Sequence, residues 1–200
     1  MTAPLRTPAT RPSLLVRLRD GGDEAAWREF DQAYRELILR YARHRGLQQA
    51  DAEDVRQQVL LALSRALLEF RYDPARGRFR DYLGRVVRHA AIRQMRRPIV
   101  VSSELDGLGD APTGNDEQDP LWEREWMLHH LRRAMSTVRR AFEPRSIEVF
   151  DALLAGSEVA TVAAAHGLSP QAVHKIKQRI RDRLRELIAE QLKEEAGADG

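Results

Sequence analysis

The 200-residue chain has no cysteine, and only three of its 33 basic residues, Lys175, Lys177 and Lys193, are lysines. Without thiols there is no disulfide and no zinc finger built on thiolates, which suits a reducing compartment. Long apolar runs are missing too, and nothing approaches the roughly 20 residues a membrane span requires. The opening residues, MTAPLRTPATRPSLLVRLRDGG, lack the apolar centre of a secretory signal. Strand signals are nearly absent, because apolar residues recur at helical rather than alternating spacing. There is no phosphate-binding glycine loop, nucleophile elbow or zinc-protease helix. These absences lead us to expect a soluble intracellular all-α protein. It should not be an enzyme, and should have no metal, cofactor, small-molecule substrate or membrane insertion.

What the chain has is arginine. The formal charge is only +3, yet the isoelectric point is about 9.6, so the average conceals a pattern. Nine arginines lie between Arg71 and Arg97, against two acids, Asp73 and Asp81. Arginine offers a planar donor fork that fits phosphates and base edges, and it stacks on rings. The loop Arg71–Gly77 sets Tyr72 among these cations, a combination suited to single-stranded or splayed nucleic acid. This segment therefore points to DNA, including DNA that has been opened.

Periodicity divides the chain into two helical domains. Trp27, Phe30, Tyr34, Leu37, Ile38 and Tyr41 form one apolar stripe, ended by Gly46. Val55, Val59, Leu63, Ala66, Leu67 and Phe70 form a second, with Asp51 as N-cap and Glu53 and Asp54 in the first turn, where acids complement the helix dipole. Phe79, Tyr82, Leu83, Val86, Val87 and Ala90 form a third, and a short helix around Ser13 to Asp20 precedes them all. Ile99 to Leu121 then carries six acids and no Lys or Arg, the composition of a flexible acidic linker. Helical spacing resumes near Trp122, with helices expected at 144–155, 157–166 and 169–194. The expected domains are 1–98 and 122–195, joined by a linker at 99–121, with a tail at 196–200.

Val159 to Ile180 fits a helix-turn-helix. Val162 and Ala163 pack inward, and Gly167 supplies the positive φ of the turn. Leu168 plugs the core, Ser169 caps the second helix, and Pro170 takes its first position. Val173, Ile176, Ile180 and Leu184 face inward. That leaves Gln171, His174, Lys175, Gln178 and Arg179 for outward or flanking faces, where Gln and Lys or Arg match adenine and guanine edges in the major groove. The plain alternative is a helical hairpin with a solvated basic face. Six cations between Lys175 and Arg185 against the single acid Asp182 weigh against it.

Other constellations read as structural. The six histidines (44, 89, 129, 130, 166 and 174) show no metal spacing with carboxylates, so surface or partly buried packing is the simpler account. Asp51, Glu53 and Asp54 fit capping and an exposed docking face better than a metal or acid–base site. Two rival functions stay open from the residues alone. A stand-alone helix-turn-helix regulator would bind a palindromic duplex without help. An enzyme with a DNA-binding tail would need a nucleophile or a carboxylate cluster in its first domain.

The stretch DAEDVRQQVLLALSRAL, followed by FRYDPARGRFRDYLGRVVRHAAIRQMRR, resembles region two of bacterial sigma factors of the sigma-70 family. VRRAFEPRSIEVFDALLAGSEVATVAAAHGLSPQAVHKIKQRIRDRLREL resembles region four. A two-module layout lacking a third region looks like the extracytoplasmic-function group. The resemblance implies a protein of the bacterial cytoplasm, associated with the nucleoid in holoenzyme, whose partners are core RNA polymerase, promoter DNA and an anti-sigma protein. Asp51, Glu53, Asp54, Gln57 and Gln58 would dock on the clamp helices of the largest polymerase subunit. Arg71, Tyr72, Arg76, Arg78, Arg80, Arg88, His89, Arg93 and Arg96 would bind and help melt the minus-ten element. Ser169, Gln171, His174, Lys175, Gln178 and Arg179 would serve the minus-thirty-five element. A linker of about 22 residues reaches at most roughly 70–80 Å, enough for two DNA turns of about 70 Å in all. The chain departs from the family at Gln58, where a carboxylate is usual, at Tyr82 for Trp, and at His89 and Arg93 for Asn and Asp.

Overall fold

The computed structural model describes residues 12–18, 22–69, 79–96 and 119–196. Among these the protein is all helical, with α1 (Pro12–Leu18), α2 (Glu24–His44), α3 (Gln49–Glu69), α4 (Phe79–Met95), α5 (Pro120–Ala141), α6 (Pro144–Leu154), α7 (Val159–His166) and α8 (Pro170–Ala196). None of them is long and apolar enough to cross a membrane. Two compact units divide between Trp126 and Met127. Pro120 and Leu121, read from composition as the linker's end, are already helical.

The first unit is built on α2, α3 and α4. Asp23 caps α2, its carboxylate accepting from the Ala26 amide at 2.8 Å, and Arg17 of α1 grips the same carboxylate and Glu29. Gly46 ends the helix region at φ 93°, a value glycine reaches without a Cβ clash. The three expected stripes converge on one core: Phe30, Tyr34, Leu37, Ile38 and Tyr41 meet Val55, Val59, Leu63 and Leu67, with Phe79, Leu83, Val87 and Ala91 closing it. Trp27, Tyr82, Val86 and Ala90 flank it half-buried. Phe70 lies outside the described residues. Asp51 is not the N-cap, because α3 begins two residues earlier at Gln49 and the Ala52 amide bonds the Gln48 carbonyl at 2.9 Å. Asp51 remains in the first turn, but Glu53 and Asp54 lie beyond it.

The start of α5 belongs to this unit. Asp119 takes the capping place, its Oδ1 accepting from the Leu121 amide at 3.0 Å, and Pro120 supplies a pre-set φ with no missing hydrogen bond. Trp122 and Trp126 then enter the core, Trp126 stacking on Tyr34 at 6.1 Å between ring centroids.

The second unit spans Met127–Lys193. Ala134, Val138, Ile147, Phe150, Ile180, Leu184 and Leu187 form its larger core. Val149, Val162, Ala163 and Val173 form a smaller one under the helix-turn-helix, with Leu168 against it. Gly167 has φ 58° and ψ 43°, the left-handed turn expected of it. The Ser169 hydroxyl accepts from the Ala172 amide at 3.2 Å, as an N-cap should. His129 and His130 are buried rather than surface groups. Burial, then Arg133, His130 and Arg132, pushes the His129 imidazole down to about 3, while His130 Nδ1 lies 2.9 Å from the Gln191 side-chain oxygen.

Candidate nucleic-acid and polymerase surfaces

Helical spacing sorts the cations of α4 onto two faces. His89, Arg93 and Arg96, at i, i+4 and i+7, form one exposed stripe. Arg85, one turn before His89, extends it half-exposed, and that four-residue spacing was readable in the sequence although Arg85 was not among the expected contacts. Arg88 is half-buried. Arg80 points elsewhere: it ion-pairs with Glu123, and its guanidinium lies 5.6 Å from the Trp126 ring centroid. Arg71, Tyr72 and Arg76, on the expected loop, and Arg78 after it lie outside the described residues, as does the acidic stretch up to Gln118.

The acidic face of α3 is split. Glu53, one of the expected docking residues, joins an ion network between helices. It accepts from Arg35 at 2.6 Å and Arg56 at 2.7 Å, and Arg56 also holds Asp31 at 2.6 Å. Arg35 and then Arg56 keep its carboxyl below the ordinary carboxylate range. The cause is geometric, since Glu53 and Arg56 are one turn apart on the side facing α2. Asp51, Asp54 and Gln58 are gathered instead around Gln94 of α4. Gln94 Nε2 donates to Asp51 at 2.9 Å and to Asp54 at 3.5 Å, and its Oε1 accepts from Gln58 at 3.1 Å. Gln94 is only 8% exposed, so its amide is committed to this cluster. It continues the buried row Leu83, Val87, Ala91, and a glutamine in an apolar register was the sequence signal for it. Gln57 is exposed.

On α8, Gln171, His174, Lys175 and Gln178 share one exposed face at i, i+3, i+4 and i+7. Gln178 bonds the Asp182 carboxylate at 3.0 and 3.1 Å, and Arg179 lies over the Phe142 ring at 5.5 Å. The first two turns thus present Gln171, His174 and Lys175 most directly. Arg145 of α6 donates to the His166 carbonyl, tying α6 to the turn. Among the described residues no group of three or more His, Cys, Asp or Glu is placed to hold a metal ion.

Among the described residues the protein is thus all-α, with an exposed arginine stripe on α4 in the first unit and, in the second, α7 followed by the Gly167 turn and the Ser169-capped α8. Residues 30–98, from within α2 to just past α4, match the family model of sigma-70 region 2. A similar solved structure is that of CnrH in complex with the cytosolic domain of CnrY, at 21% identity and a TM-score of 0.37, covering 90% of this chain and 97% of that one. No curated protein matches the chain.

Proposed function

We propose that the chain is a sigma factor of the extracytoplasmic-function type, which binds core RNA polymerase, directs it to a set of promoters and helps to melt them. The observation that carries this reading is the region 2 match over 30–98, falling on the helices that bear the exposed cationic stripe. The polymerase performs the chemistry, and this chain supplies recognition. Asp51, Asp54, Gln57 and Gln58 offer the polymerase contact, with Glu53 stiffening α3 from behind. His89, Arg93 and Arg96, with the loop cations Arg71 and Arg76, Arg78 and the Tyr72 ring, engage the minus-ten element, where holding a flipped base costs a few kcal/mol of unstacking. Gln171, His174 and Lys175 read the minus-thirty-five duplex from the major groove, with Ser169 holding the helix start. An anti-sigma protein is the further partner expected of such a factor in the bacterial cytoplasm.

The test is reconstitution. Purified chain is mixed with core polymerase and a promoter library, then assayed for co-elution and for transcripts with defined starts. Both are expected, and the absence of both would overturn the reading.

A further inference from the structure

Arg80 lies in the region 2 segment, yet unlike Arg93 it is turned toward the start of α5. Four contacts fix residues 119–126 there, all within the first compact unit. Asp119 Oδ2 accepts from the Tyr41 hydroxyl and from Arg45 Nη2, each at 2.5 Å. Trp122 fills a notch on α4 that exists only because residue 84 is glycine, since a Cβ there would meet the indole at 2.6–2.9 Å. Glu123 pairs with Arg80. Glu125, fully buried, lies 3.0 Å from His44 Nδ1. The Arg80 guanidinium thus has a carboxylate on its donors and the Trp126 ring beneath its plane. An anion beside a flat ring is also what nucleic acid presents to an arginine.

We propose that Asp119–Trp126 is an autoinhibitory clasp, in which Glu123 and Trp126 occupy Arg80 in place of a DNA phosphate and base. The inference rests on the sigma-factor reading for its ligand, promoter DNA, and adds regulation of that surface. The parts divide the work. The two indoles and Asp119 hold the segment on the core through burial and buried polar bonds. The Glu123–Arg80 pair, with Glu123 40% exposed at its side chain, adds little to stability, as partly exposed ion pairs do. A pair that stabilises little but occupies a cation is readily exchanged for a phosphate, and DNA that displaces the Glu123 carboxylate frees Arg80 while the indoles stay in the core.

The test uses the full chain and a short labelled single-stranded oligonucleotide, with affinity followed by anisotropy over a salt series. Glu123→Gln removes the competing charge and keeps the shape. It should tighten binding about three- to tenfold and steepen the slope of log affinity on log salt by about 0.7, the increment for one further phosphate contact on a single strand. In an Arg80→Ala background the same change should have no effect. Circular dichroism and the urea midpoint report whether each variant is folded. Unchanged affinity in Glu123→Gln, a gain that persists without Arg80, or no binding by either chain overturns the clasp. Promoter-dependent transcription with core polymerase is a separate measurement, so the sigma-factor reading can stand while the clasp falls.

Discussion

Gly84 of α4 and Trp122 of α5 are interlocked: a Cβ at position 84 would stand 2.6 Å from indole Nε1, 2.8 Å from Cε2 and 2.9 Å from Cδ1. Trp122 is only 4% exposed and Gly84 is buried, so neither side has room to yield. A glycine inside a helix ordinarily costs about 1 kcal/mol relative to alanine. Its place here is explained by the ring it admits.

Gly84→Ala therefore opposes two effects. Helix propensity favours alanine by about 1 kcal/mol, while forcing a methyl into a filled site costs typically 1–3 kcal/mol. The contact is too close to be absorbed by a small shift, so the clash should win. A net loss of about 1 kcal/mol in urea unfolding is expected, with a red shift of tryptophan emission as the indole is displaced toward water. A stabilised protein with unchanged emission would show that the ring does not sit in the notch.

Gly167→Ala separates strain from crowding. Nothing crowds the position, since the nearest neighbour is Arg145 Nη2 at 4.0 Å. The cost must come from φ 58° alone, roughly 1–2 kcal/mol for a non-glycine residue. Urea unfolding of the second unit should register that loss. Gly167→Asn should recover much of it, because asparagine tolerates the left-handed region.

The turn between α7 and α8 was legible because its signals are local: Gly167, Ser169 and Pro170 each act through their own backbone. The packing of residues 119–126 was not. Its acids and proline continue a linker composition, and only contacts with Tyr41 and Gly84, far away in sequence, make Trp122 and Trp126 part of the first core. The ion network of Glu53 was hidden for the same reason. Its spacing to Arg56 was visible, but the third partner, Arg35, comes from another helix, and a carboxylate at a helix start looks the same whether it faces solvent or a neighbouring guanidinium. Gln94 lay in an apolar register, yet which groups its amide would satisfy depends on how α3 and α4 meet.

His129 should make the second unit sensitive to acid. Its folded pKa is depressed from 6.5 to about 3, chiefly by burial, so between those values the unfolded chain binds a proton that the folded chain refuses. Stability is then fully present above about pH 6.5 and falls as pH drops toward 3. One such group is worth at most about 1.4 kcal/mol per pH unit, so a loss of about 1 kcal/mol between pH 7 and 5.5 is expected. Urea titrations at the two pH values measure it. His129→Leu, which cannot take the proton, should flatten the dependence, and an equally steep slope in that variant would assign it to another group.

The stripe on α4 and the face on α8 should fail differently when cut. Arg93 is exposed beside His89 on the module expected to meet opened DNA, whereas Lys175 lies beside Gln171 and His174 on the second helix of the helix-turn-helix. Arg93→Ala should reduce promoter binding by holoenzyme, lower its salt slope by about one and slow opening. A template whose minus-ten region is already unpaired should restore the opening step, because melting is then no longer required, while leaving the lost phosphate contact. Lys175→Ala should weaken binding only on templates that carry the upstream duplex element, and unpairing the minus-ten region should not help it. Run side by side on duplex and pre-opened templates, the two variants distinguish a melting surface from a duplex-reading one. Identical responses on both templates would mean that the two units do not divide the promoter between them.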